Sequence, residues 1–119
     1  MPTHPPTDAA LGSQVRALIG ERLHDEHCSL AGIAARLAIH PRTLQRRLRR
    51  QGLCFEAMRD ELRRDRALAF LQQDGTPLSN IAEALGYSEP SSLSRSCYRW
   101  FAAWPKQLRD GAAAGLSCA

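Results

Sequence analysis

Between His40 and Gln51 the chain places Arg42, Arg46, Arg47, Arg49 and Arg50 without one acidic residue. A guanidinium is a planar fork of donors that fits the O6/N7 edge of guanine bidentately. Gln45, in the same run, carries the amide that matches adenine N6/N7. Like-charged runs are ordinarily solvated faces, so these residues need a scaffold before they signify more. On a helix, Leu44 and Leu48 would turn inward together. The outward face then gathers Arg42, Thr43, Gln45, Arg46 and Arg49, while Arg47 and Arg50 point partly sideways, toward phosphate, which positions without specifying.

The scaffold is written twice. Leu30, Ile33, Ala34, Leu37, Ile39, Leu44 and Leu48 recur as Leu78, Ile81, Ala82, Leu85, Tyr87, Leu93 and Cys97, offset by 48 residues up to Tyr87 and 49 beyond it. Each copy has apolar residues at i, i+3, i+4 and i+7, a three-residue break and a second helical stretch bearing arginine. That is the layout of a helix-turn-helix, in which one short helix props another for insertion into the DNA major groove.

The remaining elements follow from periodicity and punctuation. A first helix runs from Ala9 or Ser13 to Leu23, with Val15, Leu18, Ile19 and Leu23 on one face. Ser29 caps a second helix ending near Leu37. Ala38, Ile39 and His40 make a turn, and Pro41 opens the arginine helix at its first position, where a missing N–H costs nothing. Gly52 stops that helix. A longer helix from Phe55 to Gln73, with Phe55, Met58, Leu62, Ala69 and Leu71 among its apolar positions, mixes acidic and basic residues and reads as a connecting strut. Asp74 to Pro77 is a turn before a helix over Leu78 to Leu85. Gly86 to Ser88 is the second break, with Ser88 as N-cap of a helix from Glu89 to Phe101. Trp104-Pro105 opens a short last helix. Tyr87, Trp100 and Phe101 are assigned to the core. Nothing reads as a strand, so the expected fold is all-α with about seven helices. Residues 1–8 form a flexible leader, 9–110 the domain (9–53 first subdomain, 54–73 linker helix, 74–110 second subdomain) and 111–119 a flexible tail.

Composition narrows the class. The chain has 119 residues, 44% hydrophobic, with a net charge of +4. That is enough for one compact domain or two small subdomains sharing a helix, with a local positive stripe of the kind nucleic-acid binders carry. Cys28, Cys54, Cys97 and Cys118 form no C-x-x-C pair, so reduced thiols are expected. His24, His27 and Cys28 share a helical turn but have no fourth ligand nearby and read as a polar helix terminus. No apolar run approaches the ~20 residues of a membrane span, and the start lacks the regions of a signal peptide. A cytoplasmic location is expected, with no cofactor.

Residues 29–110 resemble the DNA-binding domain of the AraC/XylS family of bacterial transcription regulators. The first half carries the pattern as Ser29, Leu30, Ile33, Ala34, Leu37 and Pro41 to Leu48. The second carries it as Ile81 to Arg95, then Arg99, Trp100, Pro105 and Arg109. The resemblance implies two helix-turn-helix subdomains joined by the long helix, with both arginine-bearing helices entering adjacent major-groove segments on one DNA face. It assigns base reading to Arg42, Gln45 and Arg46, and second-site contacts to Ser91, Ser92 and Arg95. It also implies promoter binding, with RNA polymerase recruited or obstructed. Most relatives carry an effector-sensing or dimerising domain ahead of this one, so the chain is either the C-terminal half of a longer regulator or a short stand-alone member.

The chain departs from the family pattern at several places. Ala38 stands for a turn glycine and is expected at positive φ. His40 stands for an N-cap serine, Leu93 and Cys97 for aromatics, Ala102 for glycine, Trp104 for a small polar residue and Leu108 for an aromatic. The smaller residues predict a less stable second subdomain. An enzyme is excluded by the lack of any nucleophile–base pair, phosphate loop or metal cluster. A helical module whose arginines bind an acidic protein remains an alternative, distinguished by salt dependence and sequence preference on duplex DNA.

Overall fold

The computed structural model describes residues 8–25, 28–73 and 75–110, whose regular structure is α-helix with no strand among them. The order is α1 (Asp8–Arg22), α2 (Leu30–Arg36), α3 (Pro41–Arg50), α4 (Phe55–Gln72), α5 (Leu78–Ala84), α6 (Pro90–Phe101) and α7 (Pro105–Arg109). The chain divides into two compact units, Met1–Leu62 and Arg63–Ala119. The expected leader reaches one residue too far, since α1 already begins at Asp8. The rest of it and the expected tail lie outside the described residues.

In the first unit α1 packs on α2 and α3. Its buried stripe is Leu11, Val15, Ile19 and Leu23, with Leu18 only half-buried. The stripe meets Ile33 and Ala34 of α2 and Leu44 and Leu48 of α3 in one apolar core. Each fully buried aliphatic side chain contributes about 1.5–3 kcal/mol. Gly12 marks where α1 comes closest to the turn after α3: a Cβ there would lie 2.8 Å from Leu53 Cδ1 and 3.1 Å from Gln51 Oε1.

Three turns share one hydrogen-bond pattern. After α2, Ala38 N–H donates to Ala35 O and Ile39 N–H to Ala34 O, both at 3.1 Å. After α5, Gly86 donates to Glu83 O (3.1 Å) and Tyr87 to Ala82 O (2.9 Å). After α3, Gly52 donates to Arg49 O and Leu53 to Leu48 O. This is the Schellman arrangement, which closes a helix through a residue in the left-handed region. Gly52 (φ 74°) and Gly86 (φ 85°) enter that region freely, and Ala38 enters it at φ 58°. Ala102, at the end of α6, is a second alanine there, at φ 53°.

In the second unit α5 packs on α6 and α6 on α7. The core is aliphatic: Ala67, Leu71, Ile81, Leu85, Leu93 and Leu108 are buried, together with the Cys97 thiol. Tyr87, Trp100 and Phe101 are half-buried rather than core residues. Leu93, Cys97 and Leu108 fill the interior with smaller groups, and the rings lie toward the edge, Trp100 against Phe101 at 6.0 Å in an edge-on pair. On α4, Ala67 is buried where Ala69 was expected; Ala69 is exposed and Leu62 half-buried.

Caps follow the prolines. Ser29 accepts the Gly32 N–H at 3.1 Å, as its type predicts. His40, despite replacing a serine, does the same work, its Nδ1 accepting the Arg42 N–H at 3.1 Å. Ser88 is not a cap. Pro90 occupies the first position of α6 and forces the residue before it into extended backbone, so the cap falls on Glu89 (φ −139°, ψ 145°), which makes no side-chain capping bond.

Candidate nucleic-acid interface

α3 presents the basic site. With Leu44 and Leu48 buried, Arg42, Gln45, Arg46, Arg49 and Arg50 are exposed, and Thr43 and Arg47 are half-buried. The helix stands this way because Pro41 and the His40 cap start it and Gly52 ends it, while its two leucines anchor it under α1.

Pairing separates these arginines from Arg16, Arg59, Arg63, Arg64 and Arg109. On α4, Arg59 bonds Glu56 and donates from Nη1 to Cys28 O at 2.8 Å. Arg63 donates from Nε to Leu85 O at 2.8 Å and lies over the Tyr87 ring at 4.7 Å. Arg64 meets Asp65, and Arg16 on α1 meets Glu61. Arg109 bonds Thr76 O. Among the described residues no carboxylate pairs with Arg42, Arg46, Arg49 or Arg50. Their forks are exposed and uncommitted, so what they would bind is an anion or a base edge brought from outside.

α6 carries a different chemistry on the matching face. Ser91 and Arg95 are exposed and Ser92 half-buried. The Ser91 hydroxyl donates to Glu89 Oε2 at 3.3 Å, and Arg95 Nη2 reaches Ser92 Oγ at 3.5 Å within its own helix. Ser94 donates back to Pro90 O at 3.2 Å. Ser96 is buried and accepts from the Tyr87 hydroxyl at 2.9 Å, which fastens the turn to α6.

All ten sequence-predicted contact residues therefore fall on two helices, seven on α3 and three on α6. Sequence reasoning missed Glu89, which stands beside Ser91, and the structural work of Arg59 and Arg63. The two arginines looked like strut surface because the carbonyls they bind lie 31 and 22 residues away in the chain. Elsewhere, Cys28 turns its thiol inward toward Ile19 O at 3.9 Å, and His27 lies outside the described residues. No helix among the described residues is long and apolar enough to cross a membrane.

Comparison with known proteins agrees with this layout. The family described as "Helix-turn-helix domain" matches residues 33–111. The HTH-type transcriptional regulator VirS of Mycobacterium tuberculosis is 47% identical over 104 residues, which cover 87% of this chain and 31% of VirS. The chain thus spans about a third of that relative. Among solved structures, a DNA-binding transcriptional dual regulator from Escherichia coli K-12 superposes with a TM-score of 0.79 at 22% identity, over 97% of this chain and 98% of that one. A transcriptional regulator of the AraC-type DNA-binding domain-containing proteins, from Chromobacterium violaceum, gives a TM-score of 0.75 at 23% identity over 87% of this chain and 92% of that one. The duplicated helix-turn-helix, the hydrogen-bonded turn that repeats between its copies and these likenesses lead to one conclusion: the chain belongs to the AraC/XylS family of transcription regulators, as a DNA-binding domain and not an enzyme.

Proposed function

We propose that the chain reads duplex DNA with α3 and α6 in successive major-groove segments of one DNA face, and regulates transcription by doing so. The observation that carries this reading is the set of exposed forks of Arg42, Arg46, Arg49 and Arg50, which no carboxylate meets among the described residues and which stand on the second helix of a helix-turn-helix. Arg42, Gln45 and Arg46 read base edges; Thr43 and Arg49 flank them; Arg47 and Arg50 hold phosphate. Ser91, Ser92 and Arg95 read the second segment. Serine hydroxyls accept and donate alike, so this half discriminates weakly and depends on Arg95. Residues 9–110 act as the DNA-binding domain, with residues 54–73 linking its halves.

The wider setting follows the same reading. The partners are promoter DNA and RNA polymerase, and the location is the cytoplasm. Selection from a random duplex library with the purified chain tests the proposal. The enriched site should have one sharply defined half and one loose half. Arg46→Ala should weaken binding by ~1–3 kcal/mol and relax preference at one or two base pairs. Enrichment of no sequence, with binding unaffected by salt, would favour an acidic protein partner instead.

A further inference from the structure

α6 buries Leu93, Ser96 and Cys97. Its opposite side runs from Ser91 to Arg95, one turn on, and to Tyr98, one turn further. Tyr98 is 50% exposed, and Trp104, just before α7, is 48% exposed. The two rings stack on each other, centroids 4.7 Å apart and 25° from parallel. Large half-exposed aromatics stacked together on a small domain keep each other ordered while their polar edges remain available to a partner.

The repeat relates this place to a position in the first motif. The offset of 49 residues that aligns Leu44 with Leu93 and Leu48 with Cys97 also aligns Arg46 with Arg95 and Arg49 with Tyr98. Tyr98 thus holds in α6 the position that an exposed arginine holds in α3. We infer that the Tyr98–Trp104 pair is a contact to the sugar–phosphate backbone of duplex DNA. The phenol O–H and indole N–H donate to phosphate oxygens, and the ring faces rest on deoxyribose. This deepens the DNA-binding reading and rests on it. The N-terminal residues of a groove helix meet base edges, whereas a C-terminal end can meet the backbone, and Tyr98 is the ninth of the twelve residues of α6. Uncharged donors displace no counterions, so the second motif gains affinity there without the salt sensitivity that arginines bring to the first.

The test uses the full chain, a short fluorescein-labelled duplex of random sequence and a series of salt concentrations. Tyr98→Ala should weaken binding about three- to tenfold, the worth of one hydrogen bond and a ring contact, with the slope of log K against log salt unchanged. Tyr98→Arg should steepen that slope by about 0.9, one additional phosphate neutralised. In a Trp100→Phe background, Trp104 is the one remaining tryptophan, and duplex should shield it from acrylamide quenching. An unchanged slope in a normally melting Tyr98→Arg chain would overturn the inference. So would Trp104 that quenches equally with and without bound duplex. Failure of the unsubstituted chain to bind any duplex would overturn the DNA-binding reading as well, which separates the two. Should Tyr98→Ala not fold, the arginine variant and the quenching decide.

Discussion

Replacing Ala38 with glycine should stabilise the first unit, although it deletes a methyl group. Ala38 closes α2 at φ 58° and is exposed, so its Cβ gains little from packing and bears the steric cost of the left-handed region. For an L-residue that cost is ~1–2 kcal/mol. Glycine removes it but frees the unfolded chain, which returns ~0.4–1 kcal/mol. The net gain should lie between about 0 and about 1.6 kcal/mol. For a unit of this size that is a rise of about 4–8 °C in Tm per kcal/mol. The duplicated motif supplies the control. Gly86 makes the same two hydrogen bonds at φ 85°, outside the narrow left-handed range of about 50–70° open to other residues. Gly86→Ala should therefore destabilise, and by more than Ala38→Gly stabilises. Ala102→Gly, at φ 53° and also exposed, should gain by the same reasoning. Thermal melts followed by circular dichroism measure all three. A lower Tm for Ala38→Gly, or an unchanged Tm for Gly86→Ala, would refute the assignment of backbone strain to these turns.

Arg63→Met keeps the aliphatic stem but removes the bond to Leu85 O, and should cost ~1–3 kcal/mol because that bond is charge-assisted; urea unfolding measures it. Burial pushes the Cys97 thiol up to about 11 from 9.0, so in the native chain Cys54, which is exposed, should react with a thiol reagent at neutral pH while Cys97 stays protected. The same shift makes the folded state hold its proton after the unfolded chain has lost one. Stability should therefore fall between about pH 9 and pH 11, and Cys97→Ala should flatten that decline in unfolding curves taken across the interval.

The family, the helices and the outward arginine face of α3 were legible because the interactions that set them are local in sequence. Spacings of three and four residues put Leu44 and Leu48 on one side of α3 and left the arginines on the other. Pro41, Gly52 and Ser29 marked ends because capping bonds join residues a few positions apart. The 48-residue repeat even predicted the strained turn, since Gly86 stands where Ala38 does and the hydrogen bonds at both turns correspond. Sequence by itself thus determined which surfaces face outward and what chemistry they carry.

Partners and depth were decided only by tertiary structure. Arg59 and Arg63 resemble the arginines of α3 in type, and only folding brings the carbonyls of Cys28 and Leu85 to them. Tyr87, Trp100 and Phe101 were expected in the core, but hydrophobicity states a preference for burial, and the available volume was set by Leu93, Cys97 and Leu108. The stacking of Tyr98 on Trp104 joins residues of α6 and the turn before α7 that no periodicity relates. A hydrogen bond, a ring contact or a buried site depends on atoms that distant parts of the chain bring together, and one-dimensional patterns record only how each segment is disposed to fold.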